Sequence, residues 1–163
     1  MIPINTPVEN EEIAKLKVGD KIAISGEIYT GRDAALPKLV DSVKNGNPLI
    51  DINKIAIMHT AVSNAGIAPT TSNKEEIENS IPFLSENGVK IHIGKGSLSL
   101  KTIESLNKNN SIFVITPPVA ALLTDSIKEK KCVALSEEGI EAIYKLKVEN
   151  IPGIVACAHG KSI

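Results

Sequence analysis

Ile22, Ile24 and Ile28 keep a period of two through Lys21–Thr30, with small or polar residues between them and Gly26 as a break, and this predicts a half-buried strand. Across residues 34–44 the spacing turns helical, with Leu36, Leu39, Val40 and Val43 on one face, and Asn45-Gly46-Asn47-Pro48 ends that helix. Residues 55–58, 89–93 and 112–115 read as further short strands. Residues 60–72 carry no period and read as a loop rich in Ala, Ser, Asn, Gly, Pro and Thr. Ser72 and Glu75 have the form of a capping box, so a helix is expected to open near Asn73, and either to kink at Pro82 or to start afresh after Ser80. After Gly94-Lys95-Gly96 the pattern predicts a helix to about Asn107, a strand over 112–115 and a helix over 119–130. A short strand over 132–135, a helix over 137–145 and a final strand over 153–158 follow.

That alternation predicts an α/β fold whose C-terminal half is a mostly parallel sheet flanked by helices, with a strand-rich layer formed by the N-terminal half. Residues 1–20 read as a lead-in: an extended, proline-containing start, a short helix or turn over 9–17, and a turn at Val18-Gly19-Asp20. The whole chain, 1–163, is expected to be a single domain, with residues 21–163 as its body.

Composition narrows the function classes. With 163 residues, 42% of them apolar and 23% charged, the chain has enough apolar material for one soluble core. Eighteen basic against nineteen acidic side chains leave a net charge of −1, and only two Tyr and two Phe are present. Neither a global positive field nor a row of base-stacking rings is available, so nucleic acid is disfavoured as a partner. The start has no basic or apolar leader pattern and no apolar run approaches a membrane span, so a cytoplasmic location without membrane association is expected. Cys132 and Cys157 are too few to hold a usual iron–sulfur cluster, and both read as small hydrophobes. His59, His92 and His159 show no metal-binding spacing, and no metal ligands are assigned to this chain.

Seventeen of the eighteen basic residues are lysines, and the sole arginine is Arg32. A planar, five-donor guanidinium grips a carboxylate or phosphate with two parallel hydrogen bonds, which lysine cannot do. Arg32 therefore reads as a ligand-binding group, the alternative being a structural ion pair with an aspartate. Three stretches combine a cation with glycine, hydroxyls or a helix start: Thr30-Gly31-Arg32-Asp33, Pro69-Thr70-Thr71-Ser72-Asn73-Lys74 and Gly94-Lys95-Gly96. The last is not a phosphate-binding P-loop, because its spacing from Gly88 is wrong and Gly96 stands where a hydroxyl residue is needed. Thr70 and Thr71 fit helix capping as well as they fit a catalytic role.

In this order the stretches resemble the C-terminal domain, or separate β subunit, of class I fumarate hydratases and tartrate dehydratases. The likeness is carried by Gly26-Glu27-Ile28-Tyr29-Thr30-Gly31-Arg32-Asp33-Ala34-Ala35, Pro69-Thr70-Thr71-Ser72, Gly88-Val89-Lys90 with Gly94-Lys95-Gly96, and Gly139-Ile140-Glu141-Ala142-Ile143-Tyr144 with Ile151-Pro152. The resemblance implies a swivelling β/β/α domain that closes over a [4Fe–4S] cluster carried by a cluster-bearing α subunit, one iron of which acts as a Lewis acid on the substrate. It implies a hydro-lyase acting on a dicarboxylate, with fumarate and malate as the default pair. It also implies a hetero-oligomer with that subunit, or a homodimer in isolation. By motif position, Arg32, Thr71, Lys74 and Lys95 are implied substrate-binding residues, and Thr70 the residue that removes the carbon-bound proton.

The chain departs from that pattern at four points. Leu36 replaces a histidine, Ala68 a glycine and Lys74 an arginine, and Met58-His59-Thr60-Ala61 replaces a Tyr-x-Gly-Pro segment. Two other readings stay open: a non-catalytic paralogue that keeps an anion pocket and serves as a binding or assembly module, and a stand-alone, metal-free lyase.

Overall fold

The computed structural model describes residues 1–63, 66–67, 74–117 and 120–163. In chain order its elements are β1 (Ile2–Thr6), α1 (Asn10–Ala14), β2 (Lys21–Thr30), α2 (Leu36–Lys44), β3 (Ala56–Met58), β4 (Val62–Ser63), β5 (Gly66–Ile67) and α3 (Lys74–Glu86). There follow β6 (Ile91–Gly94), α4 (Leu100–Lys108), β7 (Ile112–Ile115), α5 (Ala120–Asp125), β8 (Ile127–Ala134), a 3-10 turn (Ser136–Glu141), β9 (Ile143–Ala158) and β10 (Lys161–Ser162).

The short apolar strands are central because both of their faces are covered. Ala56, Met58, Ile91, Ile93, Ile112 and Val114 point into one cluster with Ile22, Ile24, Ile28, Leu146, Val148, Ile151 and Val155, which is the interior of the sheet. The residues between them point outward to the helices. Ile57 joins Leu36, Leu39 and Val40 of α2 and Leu84 of α3, while Phe113 joins Ile81 of α3 and Ile103 and Leu106 of α4. Two-sided burial reads as a continuous apolar run, which is what the sequence shows at β3 and β7.

Pairings β2–β3, β3–β6 and β6–β7 are parallel, while β9 is antiparallel to both β7 and β2 and so closes the circuit. A walk from Thr30 through Met58, Ile93, Val114 and Val155 returns to β2 at Asp20, a stagger of ten residues around five strands. Ten residues rise roughly 33 Å against about 24 Å for five strand spacings, so the strands lean at roughly 55° to the barrel axis. The lean puts the C-terminal ends of β2, β3 and β6 on one rim, since Thr30, Met58 and Ile93 are in register. The end of β7 is in register with that of β6, Ile115 opposite Gly94, and through Ile154 of β9 it also stands level with Lys21 at the start of β2.

The C-terminal half differs from the expected parallel sheet. The strand expected over 132–135 starts earlier, with residues 127–130 in β8 rather than at the end of a helix, and residues 143–158 form one sixteen-residue antiparallel strand, so the sheet is mixed and barrel-like. The helix expected over 137–145 is confined to the 3-10 turn, because Gly139 at φ 61°, ψ −123° breaks it and β9 has already begun at Ile143. The loop expected over 60–72 includes the β4–β5 hairpin. α3 does not start afresh after Ser80 but runs on through Pro82, with Ile81 and Leu84 fully buried on either side of the proline. Tertiary burial outweighs the lost backbone bond there.

The lead-in residues are part of the sheet: β1 pairs in parallel with β2, and Ile4, Val8, Ile13 and Leu16 are buried in the interior cluster. Among the described residues no helix is long and apolar enough to cross a membrane. Gly26 makes the β1–β2 contact possible. Its φ is +108°, and a Cβ there would stand 2.3 Å from the Thr6 carbonyl oxygen. Gly26→Ala therefore combines a strained backbone with a clash against immobile main chain, and should lower unfolding stability by about 2–4 kcal/mol, read as a lower urea midpoint with unchanged slope.

Candidate functional site

The rim formed by β2, β3 and β6 carries most of the candidate residues that the structure describes. The backbone ladder extends one residue past each strand, since the Gly31 amide donates to the Met58 carbonyl and the His59 amide to that of Ile93. Arg32 and Lys95 each lie two positions beyond Thr30 and Ile93, which both register with Met58 of β3, so the two cations leave the same rim on either side of β3. Lys95 is exposed in the turn after Gly94, and Gly96 beside it takes φ 90°, which only glycine adopts freely.

Arg32 is about three-quarters buried, with its side chain 25% exposed. Its Nε lies 3.3 Å from Oε1 of Glu141, and its carbonyl accepts the Ala35 and Leu36 amides that open α2. The ion pair weighed for Arg32 against ligand binding therefore exists, but its partner is a glutamate at the end of the 3-10 turn. It is not an aspartate. The contact engages Nε, so the terminal edge of the guanidinium is the part left to meet a ligand.

The opening of α3 faces α2 across a cleft and is tied to the start of α4. A cleft of about 350 Å³ separates α2 from α3, lined by Asp33, Pro37, Val40, Asp41 and Lys44 on one side and Glu75, Asn79 and Ser80 on the other. Three carboxylates against one ammonium make it a poor seat for a dianion, so the basic groups of this region are those on the rim. On its other side Glu78 accepts from the Ser99 amide at 2.9 Å and the Ser99 hydroxyl at 2.6 Å, and from the Thr102 hydroxyl. Ser99 is the N-cap of α4, accepting from the Thr102 amide, so Glu78 pins the far end of the turn that carries Lys95. Lys74 is the first residue of α3 and shares that end with the Arg32 turn. Thr70, Thr71, Ser72 and Ala68 lie outside the described residues.

Leu36 is 1% exposed and packs on Gly31, where its Cδ2 would lie 2.9 Å from an added Cβ. The side chain standing in place of a histidine is therefore part of the apolar cluster under α2.

Two residues that sequence spacing separates meet behind the rim. His59 Nε2 stands 3.4 Å from His92 Nδ1, and His92 Nε2 is 2.8 Å from the Ser85 hydroxyl of α3, all three residues being buried. Burial, reinforced by the neighbouring His59, holds the His92 imidazole well below the usual histidine range. Strand parity offered one signal, since His92 alternates with the inward-facing Ile91 and Ile93 and so must face the helices. Glu141 lay in a recognised stretch without a role, and nothing in its local sequence marks Arg32 as its partner.

The thiols do not suit a cluster. Cys132 is exposed on β8, whereas Cys157 is buried and its thiol is pushed up to about 11 by desolvation, the wrong state for a thiolate ligand. No group of three or more His, Cys, Asp or Glu that could hold a metal ion occurs among the described residues.

A family model described as "Fumarase C-terminus" matches residues 1–163. A protein named putative fumarate hydratase class I from Geobacillus stearothermophilus is 32% identical over 178 residues, covering 100% of this chain and 33% of its own length. Putative L(+)-tartrate dehydratase subunit beta from Methanocaldococcus jannaschii is 32% identical over 169 residues, covering 94% of this chain and 86% of its own length. Fumarate hydratase 2 from Leishmania major is 26% identical over 166 residues, with 94% of this chain and 29% of the relative covered. The chain thus spans about a third of the length of these fumarate hydratases and most of the tartrate dehydratase subunit.

Two measurements check this part of the structure. With its pKa depressed, His92 stays neutral in the folded state while the unfolded chain takes up a proton below about pH 6.5, so stability is full above that pH and falls as the pH drops. Urea midpoints should decline from pH 7.5 to 5.5 with a slope of up to about 1.4 kcal/mol per pH unit from this group, and His92→Leu should flatten the decline. Thiol titration of the native chain should read Cys132 promptly and Cys157 only after denaturation.

Proposed function

From the premise that the chain belongs to the Fumarase C-terminus family, we propose that it is the small, β subunit of a hydro-lyase that adds water reversibly across the double bond of fumarate or a closely related dicarboxylate. The observation that carries this reading is the placement of Arg32 and Lys95 on one rim, with Glu78 of α3 tied to the turn that carries Lys95. Two cations on one rim suit the two ends of a short dianion, whose carboxylates neutralise them in a partly buried setting. In this reading Arg32 holds one carboxylate through its terminal edge, Lys95 approaches the other as a point charge, and Lys74 and Thr71 complete the grip. Thr70 takes the carbon-bound proton, a role in which the nearby cations must stabilise its alkoxide, since an unassisted hydroxyl is a weak base at neutral pH.

Two thiols are too few for a usual iron–sulfur cluster, and one of them is buried, so the metal centre is assigned to a partner α subunit. The relative named as a subunit beta, nearly the length of this chain, supports that division. This chain's contribution is to bind, orient and exchange a proton with the dicarboxylate. Lysine at position 74 and the buried Leu36 change the polar lining, which favours a substrate other than fumarate within the same class.

Anaerobic reconstitution with a cluster-bearing large subunit tests the proposal. Fumarate, malate, tartrate and 2-methylmalate are the substrates to assay, and turnover of at least one is expected with the complex and none with this chain alone. A stable complex that turns over none of them leaves the non-catalytic reading in its place. Arg32→Lys keeps the charge but loses the fork, and should lower kcat/KM by about 1.5–3 kcal/mol of transition-state binding, one to two orders of magnitude. Unchanged kinetics in that variant would take Arg32 out of the site.

A further inference from the structure

We infer that Glu141 is a positioning residue for Arg32: it holds the guanidinium by Nε so that the terminal two-nitrogen edge faces the substrate carboxylate. The inference rests on the reading of Arg32 as a carboxylate binder and extends it to a residue 109 positions away in the chain.

One carboxylate oxygen makes the connection. Glu141 Oε1 lies 3.3 Å from Arg32 Nε and accepts the Ala34 amide at 3.3 Å, so a single group fixes both the side chain and the turn that presents it. A guanidinium can offer a carboxylate either its side edge, Nε with one terminal nitrogen, or its terminal edge, and occupying Nε leaves the terminal edge. Glu141 is itself held from several directions. The Tyr144 amide donates to the Thr30 hydroxyl at 3.3 Å, which ties the start of β9 to the end of β2. An ion pair between Lys38 of α2 and Glu138 fastens the 3-10 turn, and Ile143 packs with Leu36, Leu39 and Ile57 beneath it. The Glu141 side chain is 27% exposed, close to the 25% of Arg32, so the pair sits at the rim where a ligand reaches one face and the protein holds the other. A purely structural pair would have no need of the chain's sole guanidinium, since the Lys38–Glu138 and Lys145–Glu27 pairs close similar gaps with lysine.

Because Arg32 is the sole arginine, the uniformly ¹⁵N-labelled chain has one arginine Nε–H resonance, which reports the contact without reference to activity. The resonance should shift in Glu141→Ala and by as much in Glu141→Gln, which keeps the shape of the side chain and loses the charge of the ion pair. In the reconstituted complex Glu141→Ala and Glu141→Gln should each raise KM for the dicarboxylate roughly tenfold with kcat within about twofold, and Glu141→Ala should add nothing in an Arg32→Ala background. An Nε–H signal indifferent to Glu141, or an equal KM penalty with and without Arg32, overturns the inference. A signal that depends on Glu141 in a complex that turns over no hydroxy acid upholds the positioning and overturns the hydratase reading.

Discussion

β9 is the constraint on which the fold depends. Its sixteen residues pair with β2 along one edge and with β8 and then β7 along the other, so one strand converts an open parallel sheet into a closed barrel. Closure fixes the stagger, and the stagger decides which strand ends meet on a rim. Gly153 shows how tight the fit is, since a Cβ there would stand 2.5 Å from the Val114 side chain across the interior. The rim that carries Arg32 and Lys95 therefore follows from pairings made by a strand that contributes neither of them.

The parts of this architecture with both faces buried were legible in the sequence. Residues 55–58 and 112–115 are apolar throughout and 89–93 alternates Val89, Ile91 and Ile93 with Lys90 and His92, and each proved to hold a central strand. The first half of β8 was hidden because it is exposed: Lys128, Glu129, Lys130 and Lys131 carry no period of two, and charged helix formers in a row read as a helix, while the strand expected over 132–135 marks its second half. Ile140, Ile143 and Tyr144 have helical spacing, yet Ile140 is half-exposed and Ile143 already belongs to β9. Local pattern cannot see the long-range pairing that settles such segments.

The candidate site divides along the same line. Arg32 stood out because the rest of the chain uses lysine, and Lys95 because two glycines flank it. Glu141, Glu78 and the His59–His92 pair were out of reach, since each acquires its partner only when distant strands and helices are brought together. The parts of the site marked by unusual local chemistry are the groups that would touch a ligand, and the parts that hold them in place are ordinary residues in positions the fold alone defines.

Two margins of the sheet are unlike its interior. β1 presents Pro3 within its length, and β8 presents a run of lysines with one glutamate, features that discourage a foreign strand from hydrogen-bonding alongside. Along β1 and β8 the backbone amides and carbonyls are thereby kept out of an easy join with another chain.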